Sequence, residues 1–199
     1  NNGQSTHTTG TMVGDDDPSL PHQVGMAPGA TWIACKGCEE SSCSTFALNA
    51  CADWLLQPDG DPANRPHVVS NSWGGAGGND WYLSPVQAWQ AAGIFPAFTV
   101  GNYGPSCGTI GSPGDYQVSF ATAAHDTGRT IGPFSGRGPS ATFGHTPYTK
   151  PNISAPGVDI VSSYYDGGYI SFSGAGMATP HSAGAVALLW SCNPSLVGQ

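Results

Sequence analysis

Phe172-Ser173-Gly174-Ala175-Gly176-Met177-Ala178-Thr179-Pro180-His181-Ser182-Ala183-Gly184-Ala185-Val186-Ala187-Leu188-Leu189 is the stretch on which the reading of the fold turns. The small residues at 173–176 let a backbone turn sharply and pack closely. From Met177 to Trp190, small and apolar residues are spread too evenly for a one-sided surface helix, so the spacing predicts a helix buried on most sides. Gly184 leaves room there for a neighbouring element. Pro180 fits the first turn of such a helix, where a missing N–H costs least. Asn193-Pro194 predicts its end.

Composition supports one domain around such an element. The 199 residues can bury a sizeable core. Glycine (29) and proline (17) exceed average usage while charged residues make up 9%, which predicts a compact, loop-rich α/β enzyme-like chain. Aromatics at 10% argue against disorder. A net charge of −8 with five basic residues (Lys36, Arg65, Arg129, Arg137, Lys150) argues against nucleic-acid partners, because phosphate needs Lys and Arg. The acidity reads as solubility outside the cell. No run of about 18 apolar residues occurs, so no membrane span is expected. No basic region followed by an apolar stretch opens the sequence, and the expectation is a secreted protein whose signal has been removed.

Six cysteines (35, 38, 43, 51, 107 and 192) in a lysine-poor chain read as disulfides, and sequence does not choose among their pairings. The alternative is a zinc site at Cys35, Cys38, Cys43 and Cys51. Their spacings do not repeat as paired CxxC knuckles, which favours disulfides.

Gly174, Met177, Ala178, Pro180 and His181 fall on a Gly-Thr-Ser-Met-Ala-x-Pro-His pattern, and the stretch thereby resembles the nucleophile segment of the subtilisin-like serine proteases. The Thr of that pattern becomes Ala175 and the catalytic Ser becomes Gly176. Glycine has no side chain with which to attack a carbonyl. Near the start, Thr6, His7, Gly10 and Thr11 align with the family's Asp/Asn-x-x-His-Gly-Thr-His-x-x-Gly-Thr motif. The general base falls on Gln4 and the next Gly on Ser5. A carboxamide takes up no proton near neutral pH. His7 corresponds to a packing residue one helical turn along, and the family's catalytic Asp is expected upstream of residue 1.

The remaining landmarks follow in order. Asp15-Asp16-Asp17 opens a polar loop where the family often binds calcium; a solvated loop is the favoured reading, with these carboxylates as candidate ligands. Met26 to Lys36 resembles the family's Ala-Pro turn followed by a core strand. Residues 45–56 (Phe46, Leu48, Trp54, Leu55, Leu56) predict a helix with an apolar face, and 57–66 a surface loop. His67 to Gly75 reads as a buried parallel strand running into a glycine turn. By resemblance, Ser72, Trp73 and Gly74 form one wall of a substrate cleft and offer an extended edge to a peptide. Asn79 to Ala92 predicts an amphipathic helix, and Ile94 to Asn102 a second core strand. Its end, Thr99, Val100 and Gly101, corresponds to the facing wall, and Asn102 to the residue that donates its amide to the oxyanion. Residues 119–126, 134–139 and 150–157 match further family segments. The adjacent pair His125-Asp126 is a candidate dyad, but with no nucleophile beside it in sequence the favoured reading is a surface turn. Trp73-Gly74-Gly75 and Ile94-Phe95-Pro96 resemble bacillopeptidase F-like members most.

The resemblance implies a doubly wound α/β sandwich with a mainly parallel sheet flanked by helices and without its N-terminal strands. The sheet edge so exposed invites pairing with a second chain or an N-terminal fragment. It also implies a secreted, catalytically inactive homologue whose cleft holds a peptide or protein ligand, with no cofactor beyond the candidate calcium. The alternative is a secreted serine endopeptidase, its site completed by an N-terminal piece or by His and Ser at positions 4 and 176.

Overall fold

The computed structural model describes residues 3–15, 19, 23–39, 42–140 and 146–199. The strands are β1 (Val68–Asn71), β2 (Phe95–Thr99), β3 (Phe120–His125), β4 (Ile153–Pro156), β5 (Ile160–Ser163) and β6 (Tyr169–Phe172). The helices are α1 (Gln4–Val13), α2 (Thr45–Leu56), α3 (Leu83–Ala91) and α4 (Ala175–Cys192). The first four strands form one parallel sheet in the order β1-β2-β3-β4, and β5 and β6 form an antiparallel pair. Parallel pairing of β1 with β2 requires a crossover, which α3 supplies. Residues 96–99 and 121–124 are buried without alternation, as in a sheet covered on both faces. This is the flanked, mainly parallel α/β architecture that the sequence predicts.

Two cores hold it together. One gathers large side chains from α2 (Leu48, Leu55), α3 (Val86, Trp89), the sheet (Val69, Phe98) and Tyr82, Ile94 and Tyr116. Its polar tips are satisfied: Trp89 Nε1 donates to the Ala52 carbonyl and Tyr82 Oη to the Leu48 carbonyl, each at 3.1 Å. The other core is built mostly of alanines, with Ala121, Ala123, Ala124 and Ala155 beneath Ala175 and Ala178 of α4. Gly184 lets α4 come this close to its other neighbours, since a Cβ there would lie 2.5 Å from Met26 Cβ and 3.1 Å from the Met12 carbonyl oxygen.

Five expectations are corrected. First, α4 is enclosed only over its first ten residues, where the sheet and α1 cover it; Leu188 and Leu189 are 44% and 54% exposed, and Trp190 turns back onto Phe95 at 5.9 Å. Second, Pro180 is the sixth residue of α4 rather than part of its first turn, so the Gly176 carbonyl four positions back has no intrahelical donor. Third, no strand forms over 30–36; Trp32 and Ile33 are 59% and 45% exposed. A strand exists only through pairing, and among the described residues β1 is the edge of the sheet with nothing paired beyond it. Fourth, α3 begins at Leu83 instead of near Asn79, because the buried Tyr82 packs its ring into the aromatic core ahead of the helix. Fifth, Phe46, assigned to the apolar face of α2, is exposed.

Cys35, Cys38 and Cys43 are held covalently instead. Disulfides join Cys35 to Cys51 of α2 and Cys38 to Cys43, which removes the zinc reading, while Cys107 and Cys192 are free and exposed. No helix among the described residues is long and apolar enough to cross a membrane.

Candidate active-site cleft

Two strand ends make the walls. Beyond β1, Ser72-Trp73-Gly74-Gly75 continues as one wall; beyond β2, Val100-Gly101-Asn102 forms the other. Both are tied to the dipeptide Gly111-Ser112 as floor. Gly75 N–H donates to the Ser112 carbonyl at 2.9 Å, and Gly111 N–H to the Val100 carbonyl at 3.0 Å. Gly101 adopts φ 79°, a left-handed conformation suited to glycine, and its N–H donates to Thr99 Oγ1 at 3.1 Å. Trp73 turns its indole away from the cleft. Its Nε1 donates to Asn71 Oδ1 at 3.1 Å, and its ring lies 4.9 Å from Tyr82 and 5.8 Å from Phe98. The wall at 72–74 therefore offers mainly backbone.

At one end of the cleft the N-termini of α1 and α4 meet. Gln4, the first residue of α1, donates from Nε2 to the Ser72 carbonyl at 3.1 Å. Ser72 Oγ donates to the Gly176 carbonyl at 2.6 Å. That hydroxyl serves the acceptor which Pro180 leaves without a helical donor. A Cβ at Gly176 would sit 3.3 Å from Gln4 Nε2 and 3.3 Å from Ser72 Cβ. Asn102 closes the group. Its Oδ1 accepts from the Ala175 N–H at 2.8 Å, which fixes the carboxamide, and a Cβ at Gly174 would lie 3.4 Å from Asn102 Nδ2. The structure thus brings Gln4, Ser72, Asn102 and Gly176 to one place, although they lie far apart in sequence.

The chemistry open to this arrangement is narrow. It presents carboxamides, a hydroxyl whose proton is committed to a carbonyl, and a glycine. None of these is a base near neutral pH or an activated nucleophile. His7 lies one turn beyond Gln4 but is fully buried, with Nε2 2.8 Å from the Ile160 carbonyl oxygen and its ring 5.0 Å from Phe172. Burial pushes its imidazole below the ordinary range. His125 and Asp126 make no dyad: His125 Nδ1 sits 2.8 Å from the Asp126 carbonyl oxygen, while Asp126 Oδ1 accepts from the Thr130 N–H. Asp15 is exposed, and Asp16 and Asp17 lie outside the described residues. Among the described residues no group of three or more His, Cys, Asp or Glu side chains could hold a metal ion, and Asp15 alone is no calcium cage.

Three features of the site escape a reading by motif. The Ser72–Gly176 link is one; counting four residues back from Pro180 would have shown that Gly176 needed an outside donor. A second is the buried support behind the floor. Asp115 Oδ2 accepts from Gly78 N–H at 2.7 Å and from Ser112 Oγ at 2.9 Å, and burial raises its carboxyl above the usual range. The buried Lys150 donates to the Ser119 carbonyl and to Asn152 Oδ1; burial brings it down to about 8, partly offset by Asp115. The third is Tyr103, half exposed beside Asn102. A separate concavity at the starts of β2 and β3, lined by Phe95, Phe120 and Trp190, has no titratable side chain and lies away from these residues.

The sequence profile of the subtilase family, peptidase S8, matches residues 1–199. The chain belongs to the subtilase family. It is 44% identical over 210 residues to bacillopeptidase F of Bacillus subtilis (strain 168), covering 96% of this chain and 14% of that protein. It is 32% identical over 198 residues to subtilisin DY of Bacillus licheniformis, covering 98% of this chain and 66% of that one. Among solved structures, sphericase superposes with a TM-score of 0.82 at 31% identity, over 99% of this chain and 66% of that chain. The S41 psychrophilic protease gives 0.82 at 26% identity, over 98% and 65%. The chain therefore spans less than two thirds, or only a small part, of these relatives.

Proposed function

We propose that this chain is a secreted subtilase-family protein whose cleft holds an extended peptide without cutting it. The observation that supports this is the meeting of Gln4 and Gly176, with a Cβ position at 176 only 3.3 Å from the Gln4 amide nitrogen. In the family pattern a base and a nucleophile stand at these two positions, and here neither side chain can serve. Mutants of subtilisin, a member of the same family, set the scale of that loss: removing its Ser or its His costs about 2 × 10⁶ in turnover. What remains suits binding. The glycine-rich walls expose backbone for strand-like pairing with a peptide. Asn102, held through its Oδ1, can donate its Nδ2 protons to a peptide carbonyl. The two disulfides agree with an oxidising, extracellular setting.

Incubation with a fluorophosphonate probe followed by intact-mass measurement tests the reading. The expected result is an unmodified mass, with peptide binding retained. A covalent adduct would overturn it.

A serine endopeptidase is the second reading, favoured by the edge of β1 and by segment 30–37, which joins no strand among the described residues. A strand from a second chain or an N-terminal piece would pair at that edge. Such a strand adds no hydroxyl at position 176. Peptide sequencing of the natural material that returned His at 4 and Ser at 176 would establish the endopeptidase.

A further inference from the structure

The cleft lies beyond the ends of β1 and β2, and a second concavity, of about 260 Å³, opens at the starts of β2 and β3. At about 3.3 Å per strand residue the two are roughly 15–20 Å apart. The floor of the second is aromatic. Phe95 and Phe120, each half-buried, lie with ring centroids 4.8 Å apart and tilted by 48°, and Trp190 meets Phe95 edge to face at 5.9 Å. Its wall is polar, and no charged side chain lines it. Ser119 is 2% exposed, and its hydroxyl is buried with no hydrogen-bond partner among the described residues. Asn152 accepts through Oδ1 from the Ala121 N–H at 2.9 Å and from Lys150 Nζ at 2.8 Å, which fixes the carboxamide and leaves Nδ2 to donate. Gln90 and Gln117, both exposed, add two more carboxamides at the rim.

We infer that this concavity binds one ring of a neutral carbohydrate, with the apolar face of the sugar on Phe95 and Phe120 and its hydroxyls meeting Ser119, Asn152 and the two glutamines. The buried hydroxyl carries the argument. A polar group held out of water without a partner costs free energy, and folded chains keep few of them unless something supplies the bond. An apolar occupant would leave that hydroxyl and Asn152 Nδ2 unmet, and a charged one would find no counter-charge in the wall. A sugar hydroxyl both donates and accepts, as do a serine hydroxyl and a carboxamide. The C–H groups on one face of a pyranose are drawn to the negative face of an aromatic ring. A flat base would need rings parallel to it, whereas Phe95 and Phe120 are tilted and Trp190 stands edge-on to Phe95. The volume is just below the value of about 300 Å³ at which ligand sites commonly begin, so one sugar ring enters and the rest of a longer glycan extends into solvent. The inference stands whether or not the cleft holds a peptide, because the two sites share no residue.

The test titrates D-glucose, D-galactose, D-mannose and N-acetyl-D-glucosamine against the full chain, with adenosine and D-gluconate as controls, and follows backbone amide shifts by NMR. At least one sugar is expected to bind in the millimolar range, moving the amides of residues 94–95, 117–120 and 152 and leaving those of Gly101 and Asn102 in place. Ser119→Ala is expected to weaken that binding about three- to tenfold, the worth of one hydrogen bond, while thermal melting is unchanged or raised because an unmet buried hydroxyl has gone. Phe120→Leu keeps the apolar bulk, removes the ring face, and is expected to weaken binding at least as much. Unchanged affinity in either variant overturns the inference. So does a lack of response to all four sugars at these amides, or tighter binding of adenosine or gluconate than of any sugar.

Discussion

The two cores of this molecule solve the same problem in opposite ways. Beneath α2 and α3, a few large rings fill the space, with Trp89 and Tyr82 each 1% exposed and Phe98 fully buried. Beneath α4, alanines and glycines let backbones approach until little remains to be filled. A core of rings is sensitive to what is removed, because the surroundings collapse only partly. A core of small residues is sensitive to what is added, because no void receives it. The candidate site sits on the second kind. There the first turn of α4 is placed by contact distance, and the chain supplies that closeness with Ala175, Gly176 and Ala178.

Four experiments can break or sharpen this contrast. Trp89→Ala should have the largest effect, lowering stability by about 3–5 kcal/mol in urea unfolding. A loss below about 1 kcal/mol would mean that the aromatic core repacks and the contrast fails. Removing the Cys35–Cys51 bridge by Cys35→Ser should cost roughly 3 kcal/mol through the freed loop, measured in the same way. Gly184→Ala adds one methyl against Met26 and should cost about 1–3 kcal/mol, although alanine is the better helix former by about 1 kcal/mol. A stabilised variant would show that the α4 side has slack. Ser72→Ala leaves the Gly176 carbonyl without its hydroxyl donor and should cost about 1–2 kcal/mol.

The dependence on pH should separate the same two regions. Burial lowers the imidazoles of His7 on α1 and His181 on α4, and His125 adds a smaller lowering at His181. Both are neutral in the folded state, while the unfolded chain takes up protons near pH 6.5. Their contribution is therefore fully present above about pH 6.5 and is lost as the pH falls below it. The aromatic core responds at the other end. Burial raises the phenol of Tyr82, and it pushes Tyr116 up to about 12. The unfolded phenols ionise near pH 10, so that contribution is present below about pH 10 and is lost as the pH rises through 12. Hydrogen exchange read separately on α4 and α3 checks this, with acid loosening α4 first and alkali α3. Simultaneous loosening at both extremes would show one cooperative core.

Much of this was legible in the sequence, and the exceptions share a physical cause. The strands around Val69, Phe98 and Ala123 show as apolar runs ending in turn residues, and α4 shows as an unbroken small-residue run. Gln4, Asn102 and Gly176 could be placed by pattern, and the structure brings them together. Segment 30–36 failed because an apolar run predicts a strand only if a partner exists, and pairing is not a property of the run itself. The exposed end of α4 failed for the same reason, since Leu188 and Leu189 read as buried until the extent of the sheet beneath them is known. The disulfide partners and the place of the Tyr103 ring depend on distances that no local pattern encodes.

Lys36 lies just after Cys35, with its side chain 72% exposed, inside the loop that the Cys35–Cys51 bridge closes. A protease that cut after Lys36 would open the backbone without separating the pieces, since the sulfur bridge spans the break. Such a nicked molecule would migrate as a single band until a reductant was added, and a population scored as intact under oxidising conditions would already carry two new chain ends.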